Sequence, residues 1–332
     1  MRLVKIKKII IENTQYSIML YLLLIDNWKE DIFILSDIFD KNFIENFRKI
    51  CKKVYIVYPT SIKQNFISYY MAIFKLYIFL IKIKLKNNIE IYGNDNLTYS
   101  LLKKVGYILL EDGIVNYQKL IKQNFKRKII NLIKLKNPFY NPYGYSKYVK
   151  KIYLTGLAPI PKEIKDKVEI INLKELWNKK SDKEKEEVLN IFGFNNEIIN
   201  NLKGKNKILY TQPLSEDGII SENEKIKLYR QIVKNYDEKE LIIKKHPREK
   251  TDYKTIFIKA EVLNQSFPAE LFDLLDIKFK KAITIFSTAV LSDKEIEIDF
   301  YGTEIHPKLI GRFGSMENVM KRNAYLDGDL NE

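Results

Sequence analysis

The stretch KIIIENTQYSIMLYLLLIDNWKEDIFIL, Lys8–Leu35, decides the fold. It opens on a run of isoleucines (Lys8–Glu12), breaks at Asn13-Thr14-Gln15, continues as an apolar helical stretch over Tyr16–Trp28, and ends in a second apolar run, Asp31–Leu35. A β-branched strand, a polar turn, a helix and another such strand predict a parallel sheet with helices on both faces. The alternation continues with strands expected at Val54–Tyr58, Ile89–Tyr92 and Tyr107–Leu110, and helices at Asp40–Lys52, Ile67–Lys84 and Leu97–Lys104. A polar, proline-bearing stretch, NPFYNPYGYSKYVK (Asn137–Lys150), reads as a break before a second series. Its strands are expected at Lys151–Leu154, Val168–Ile171, Lys207–Tyr210, Glu240–Ile243, Ala260–Leu263, Ala282–Phe286 and Ile296–Tyr301. Its helices are expected at Lys183–Phe192, Ser221–Tyr236, Pro268–Leu275 and Thr288–Leu291. A chain of 332 residues suits about two domains. The sequence therefore predicts an α/β protein of two doubly wound domains, 1–150 and 151–332, facing one cleft. In such sheets ligands sit beyond the C-terminal ends of strands, so the residues just after strands carry the chemistry.

Composition narrows the class. Hydrophobic residues make up 46% and charged residues 30%, enough for a large core and incompatible with disorder over most of the length. Lys plus Arg number 57 against 42 Asp plus Glu, a net charge of +15. That excess suits nucleic acid, an anionic membrane face, or phosphorylated and carboxylated substrates. Nucleic acid is the weakest of these, because lysines are spread along nearly every element and no standard binding module is present. One cysteine, Cys51, excludes an intramolecular disulfide and points to a reducing compartment, and with only two histidines a structural zinc site is not expected. No segment reads as a membrane span: Tyr16–Ile25 is too short, and Phe66–Leu85 is broken by Lys75, Lys82 and Lys84. The expected location is the cytoplasm, with peripheral contact at the inner face of the membrane.

Four strand-exit loops hold polar residues of catalytic type. The first is Glu111-Asp112-Gly113, where two carboxylates and a glycine offer a base and a close backbone approach, or a turn in which Asp112 caps a helix. The second, Thr211–Gly218, again ends in Glu216-Asp217-Gly218. Ser221 and Glu224 fit a capping box there, which leaves Asp217 without a structural duty. The third is Lys244-Lys245-His246-Pro247-Arg248. A histidine among three cations suits an anion, to which it gives a proton or a hydrogen bond, and Pro247 keeps His246 out of the helical region. The fourth, Ser287-Thr288, opens a short helix and reads as an anion site or an ordinary N-cap. The other histidine, His306, reads as structural. Walker, G-x-G-x-x-G and G-x-S-x-G signatures are absent, and Asp327-Gly328-Asp329 lies in the tail, outside the pattern of elements.

Taken together, LLEDG (Leu109–Gly113), YTQPLSEDG (Tyr210–Gly218), KKHPR (Lys244–Arg248) and FSTA (Phe286–Ala289) resemble bacterial glycosyltransferase family 52, the lipooligosaccharide and capsule sialyltransferases. Matching motifs run from about Asn13 to Ser292. The resemblance implies a GT-B-type fold, CMP-sialic acid as donor, a galactose-terminated glycan acceptor, inversion at the anomeric carbon, no metal or other cofactor, and a homodimer. It implies Asp217 as the base and His246 as the acid or phosphate partner. Lys244, Lys245, Pro247, Arg248, Gly218, Ser287 and Thr288 would lie around the donor, with Glu270 placed for its ribose. Related sialyltransferase families put the base in the N-terminal acid-acid-glycine motif, so Asp112, with its neighbour Glu111, and Glu216 remain alternatives. A hexosyltransferase of the same fold using another sugar nucleotide is the competing activity.

Overall fold

The computed structural model describes residues 7–58, 71, 74, 75, 78, 89–94, 106–113, 115–118, 129, 143–246, 248–264, 267–287, 290 and 296–315. Pro247, Thr288, the expected helix over 97–104, most of that over 67–84, and 327–329 lie outside these residues. The chain divides into two compact units, 1–193 and 194–332.

The first unit holds strands β1 (Lys7–Glu12), β2 (Ile32–Ser36), β3 (Val54–Tyr58), β4 (Ile89–Gly93), β5 (Tyr107–Leu110), β6 (Val149–Leu154) and β7 (Val168–Ile170). They form one sheet in the order β3-β2-β1-β4-β5-β6-β7, and every described pairing in it is parallel. Ile9, Ile10 and Ile11 of β1 are all buried, as a central parallel strand covered on both faces requires. Helix α1 (Gln15–Leu24) starts where the Thr14 hydroxyl accepts from Ser17 N at 3.3 Å, and it buries every residue from Ser17 to Leu23. An all-round apolar helix of this kind belongs in a core. It stops short of the expected Trp28 because the chain turns at Asn27, which sits in the left-handed region. Helices α2 (Lys41–Ile50), α3 (Leu173–Lys179) and α4 (Asp182–Ile191) also belong to this unit.

The first unit runs on past the boundary expected at 150/151, as far as Gly193. Strand β6 pairs with β5 (Leu109↔Ile152) and β7 with β6 (Ile152↔Val168), so both extend the first sheet rather than open the second. Val149, Ile152 and Leu154 pack in one cluster with Ile9, Ile11, Ile34 and Leu109. The polar stretch before β6 looks like a linker by composition, but the strand that follows it has its apolar face committed to the first core.

The second unit contains helix α5 (Asn196–Leu202), β8 (Lys207–Tyr210), α6 (Glu222–Val233), β9 (Leu241–Lys244), α7 (Tyr253–Ile256), β10 (Glu261–Leu263), α8 (Glu270–Leu274), β11 (Lys281–Thr284), β12 (Glu297–Phe300) and α9 (Pro307–Phe313). Its sheet runs β10-β9-β8-β11-β12, again with parallel pairings. Leu209, Ile243, Ile283 and Leu309 lie in its core with Leu228 and Ile232 of α6. Among the described residues no helix is long and apolar enough to cross a membrane.

Candidate active site

Strand order reverses once in each sheet, between β1 and β4 in the first and between β8 and β11 in the second. Connections diverge at such a point, and the C-terminal strand ends beside it are where open α/β sheets take ligands. The four loops singled out from the sequence leave β5, β8, β9 and β11.

Beyond β5 the two acids of Glu111-Asp112-Gly113 do different work. Glu111 is fully buried. Its carboxylate accepts from Tyr117 Oη at 2.9 Å, Tyr16 Oη at 3.2 Å and Thr155 Oγ1 at 3.0 Å, and also from Thr155 N. Burial pushes its carboxyl above the usual range, against the lowering effect of these donors. Asp112 takes Nδ2 of Asn94 from the end of β4 at 2.5 Å, and its own N–H donates to Asn116 Oδ1 at 2.6 Å. Gly113 follows at φ +78°, and Gly218 of the second acid-acid-glycine sequence at +69°. At neither would a Cβ meet anything within 4 Å, so glycine serves the left-handed turn rather than space.

The loop after β8 repeats the division. Glu216 points inward to Lys225 Nζ (2.8 Å), and also accepts from Lys250 N (2.6 Å) and Ser215 Oγ (3.0 Å). Burial acts to raise its carboxyl, but these donors outweigh it and hold the pKa at about 2. Asp217 points outward, where the Arg248 guanidinium grips both oxygens, Nη2–Oδ2 at 3.1 Å and Nη1 on Oδ1. The capping box read from Ser221 and Glu224 is present at the start of α6.

After β9 the chain forms a tight turn. Glu249 N donates to His246 O at 2.9 Å, His246 N donates to Glu249 Oε2 at 2.9 Å, and Arg248 N donates to His246 Nδ1 at 3.2 Å. Burial, then Arg248 and Lys244, push the imidazole down to about 4 against Asp217 and Glu216, so it is neutral at pH 7. With Nδ1 accepting, the hydrogen bonds assign the ring proton to Nε2. His246 is thus a hydrogen-bond donor at neutral pH rather than a ready imidazolium acid.

Around this turn lie the remaining candidates. Lys244 closes β9 and is buried, with Nζ 4.4 Å from the centre of the Phe267 ring. Burial lowers its pKa to about 8, opposed by the Glu270 carboxylate. Glu270 is the first residue of α8, and Lys245 Nζ donates to Thr251 O at 2.7 Å. Beyond β11, Ser287 N donates to Thr284 Oγ1 at 2.8 Å in a turn beside the β8/β11 reversal. Asp217, Lys244, His246, Arg248 and Ser287 thus come from neighbouring loops at one edge of the second sheet. Asp112 and Glu111 stand at the corresponding edge of the first.

Two residues of this site are not visible in the sequence pattern. Lys225 and Glu249 both have fully buried side chains and connect the loops after β8 and β9. A lysine seldom goes fully under unless paired, and the sole local sign was Glu222 three residues before it. His306 caps α9, its Nδ1 accepting from Lys308 N at 3.2 Å, which matches the structural reading. Among the described residues no group of three or more His, Cys, Asp or Glu side chains is arranged to hold a metal ion.

The model of glycosyltransferase family 52 matches residues 30–309. A protein of Haemophilus influenzae, described only as uncharacterized, is 48% identical over 239 residues, 71% of this chain and 75% of that protein. Among solved structures, the α/β-galactoside α-2,3-sialyltransferase of Photobacterium phosphoreum superposes with a TM-score of 0.54 at 15% identity, covering 89% of this chain and 90% of that one. The GT-B domain of the Photobacterium damselae sialyltransferase gives 0.54 at 13% identity, covering 88% and 90%. The 2,6-sialyltransferase of Photobacterium sp. JT-ISH-224, in a ternary complex with CMP and lactose, gives 0.57 at 14% identity, covering 89% and 71%. At these identities the likeness establishes the GT-B fold.

Proposed function

The chain belongs to glycosyltransferase family 52, and from that premise we propose that it is an inverting sialyltransferase. It moves sialic acid from CMP-sialic acid to a terminal galactose of a bacterial surface glycan, lipooligosaccharide or capsule. The observation that carries the reading is the loop edge of the second sheet, where Asp217 on Arg248, a neutral His246 and the buried Lys244 adjoin. That combination suits a donor bearing both a phosphate and a carboxylate. A protein of the same fold is known with CMP and lactose bound.

In the proposed reaction the galactose hydroxyl attacks the anomeric carbon of sialic acid opposite the phosphate. The new C–O bond forms as the bond to the phosphate oxygen breaks, the electron pair leaves with CMP, and the hydroxyl proton passes to Asp217. His246 donates Nε2–H to the departing phosphate, and Lys244, Lys245 and Arg248 add positive charge. Ser287, with Thr288 beside it in sequence, binds phosphate or carboxylate, and Glu270 takes the ribose. Protein groups carry the chemistry without a metal. Because Arg248 holds both oxygens of Asp217, the guanidinium must release one before the proton moves, and the anionic donor competes for it. This gives a preferred order, donor before acceptor.

Nucleotide-dependent stabilisation tests the donor assignment. A ligand at 100 times its Kd stabilises the folded state by about 2.7 kcal/mol. CMP is expected to raise the melting temperature, and UDP and GDP are not. A shift with UDP alone would contradict the assignment and favour a hexosyltransferase.

A further inference from the structure

The two strand-exit loops that hold Asp217 and His246 do not simply lie side by side. Lys225, one turn into α6, projects between them with its side chain fully buried. Its Nζ is 2.8 Å from Glu216, 3.2 Å from Glu222 and 3.7 Å from Glu249. The Glu249 side chain is itself fully buried, and each of its oxygens has a defined partner. Oε1 accepts from Tyr253 Oη at 2.7 Å, and Oε2 from His246 N at 2.9 Å and from Thr211 Oγ1 at the end of β8. Glu249 N returns a bond to His246 O, so the carboxylate and the backbone close the 246–249 turn from both sides. Inside that turn Arg248 N meets His246 Nδ1. The direction of the imidazole and its tautomer therefore follow from the turn, and the turn follows from Glu249.

A buried ion pair contributes little net stability compared with an apolar packing of the same volume. What it supplies is direction, because a carboxylate accepting several bonds leaves its neighbours one arrangement. The exposed ion pair of the site, Asp217 with Arg248, is of the other kind, with the arginine side chain 59% exposed and free to exchange partners. One pair can open while the other keeps the loops in register.

We propose that Glu249 and Lys225 are positioning residues of the transfer reaction: Glu249 sets the turn from which His246 aims its Nε2–H, and Lys225 joins Glu249 to Glu216 and so fixes the spacing of His246 from Asp217. The catalytic meaning of this assignment rests on the sialyltransferase reading, whereas the geometric part does not.

Two readouts on one set of variants separate the two. Nitrogen-15 NMR of the histidines, with His246→Gln to assign the signal, reads the tautomer without any substrate. The wild type is expected to show Nε2–H alone at pH 7, and Glu249→Gln a mixture of tautomers. In transfer assays with CMP-sialic acid and lactose, Glu249→Gln and Lys225→Met are each expected to lower kcat by about 10- to 100-fold, the scale of a misplaced catalytic group. The donor KM should stay within about threefold, since neither side chain reaches the donor. The double variant should lose no more than the worse single one, because both act through one turn. A variant that does not fold is replaced by Thr211→Val, which keeps every charge and removes one bond to Glu249; a mixed tautomer is expected there too. Folded variants that keep a single tautomer and wild-type kcat overturn the proposal. A tautomer change in a protein without sialyl transfer overturns the functional reading and leaves the positioning role standing.

Discussion

His246 is the residue on which the departure of the phosphate turns, and replacing it gives the most exacting test of the proposed chemistry. Burial and the nearby Arg248 and Lys244 hold its pKa at about 4. Three pH units above that value, only about one molecule in a thousand carries an imidazolium. Proton delivery from His246 in the free enzyme is then a minor route, and what remains is the Nε2–H hydrogen bond to a departing phosphate. A bond to a charged acceptor is worth about 1.5–3 kcal/mol, or roughly 10- to 150-fold in rate. His246→Ala should therefore lose transfer within that range, whereas loss of an essential general acid costs up to about 10⁴-fold. The sign of the pH dependence follows from the same shift. A depressed pKa leaves the neutral form fully populated above the ordinary histidine range and loses it only as pH falls through about 4. The kcat/KM for the donor reports the free enzyme, and it should show no histidine limb between pH 5.5 and 7.5. Rates of CMP release across that range, for wild type and variant, give the comparison. A wild-type activity that falls with rising pH around 6.5, with that limb absent in His246→Ala, would refute the hydrogen-bond role.

Other consequences follow for neighbouring residues. Asp217→Ala should abolish most transfer while Asp112→Ala leaves the chemical step nearly intact; the reverse pattern, read by kcat on lactose, assigns the base to Asp112. Lys244 loses its charge as pH rises through about 8, so the affinity for CMP should weaken between pH 7 and 9. Isothermal titration should find no such weakening in Lys244→Met, and equal affinity for the wild type at both pH values removes Lys244 from the donor site. Glu111→Ala strands the buried donor Tyr117 Oη and the partly buried Thr155 N. At about 1–3 kcal/mol for each unsatisfied group, thermal unfolding should drop by roughly 5–15 °C, and an unchanged midpoint would contradict the buried network. Dialysis against EDTA should leave transfer unchanged, and a loss restored by a divalent cation would show a metal requirement.

Most of the sheet framework was legible because parallel strands buried on both faces appear as bare apolar runs, as in Ile9–Ile11 and Leu241–Ile243. The division of the chain was not, since the pairing of β6 onto β5 depends on a non-local match that composition does not report. Helix α3 was hidden for another reason. It is seven residues long and begins on an Asn172 cap, with a single buried residue, Trp177, to mark an inner face. At the site, the loops and their residue types were visible, but the division of labour within each Glu-Asp-Gly was not. Glu111 and Glu216 turn inward to donors that lie 44 and 9 residues away, Thr155 and Lys225, and nothing local marks those partners. Glu249 carries no local signal for the same reason, because its role depends on Thr211, Tyr253 and Lys225 converging from three other elements.

The central claim, sialyl transfer by a family 52 glycosyltransferase, is tested most directly by incubating the purified protein with CMP-sialic acid and lactose and weighing the products. The account predicts a lactose derivative heavier by one sialic acid, formed with an equal amount of CMP and greatly reduced in Asp217→Ala. No such product from CMP-sialic acid, with a hexose transferred instead from a UDP-sugar, would contradict it.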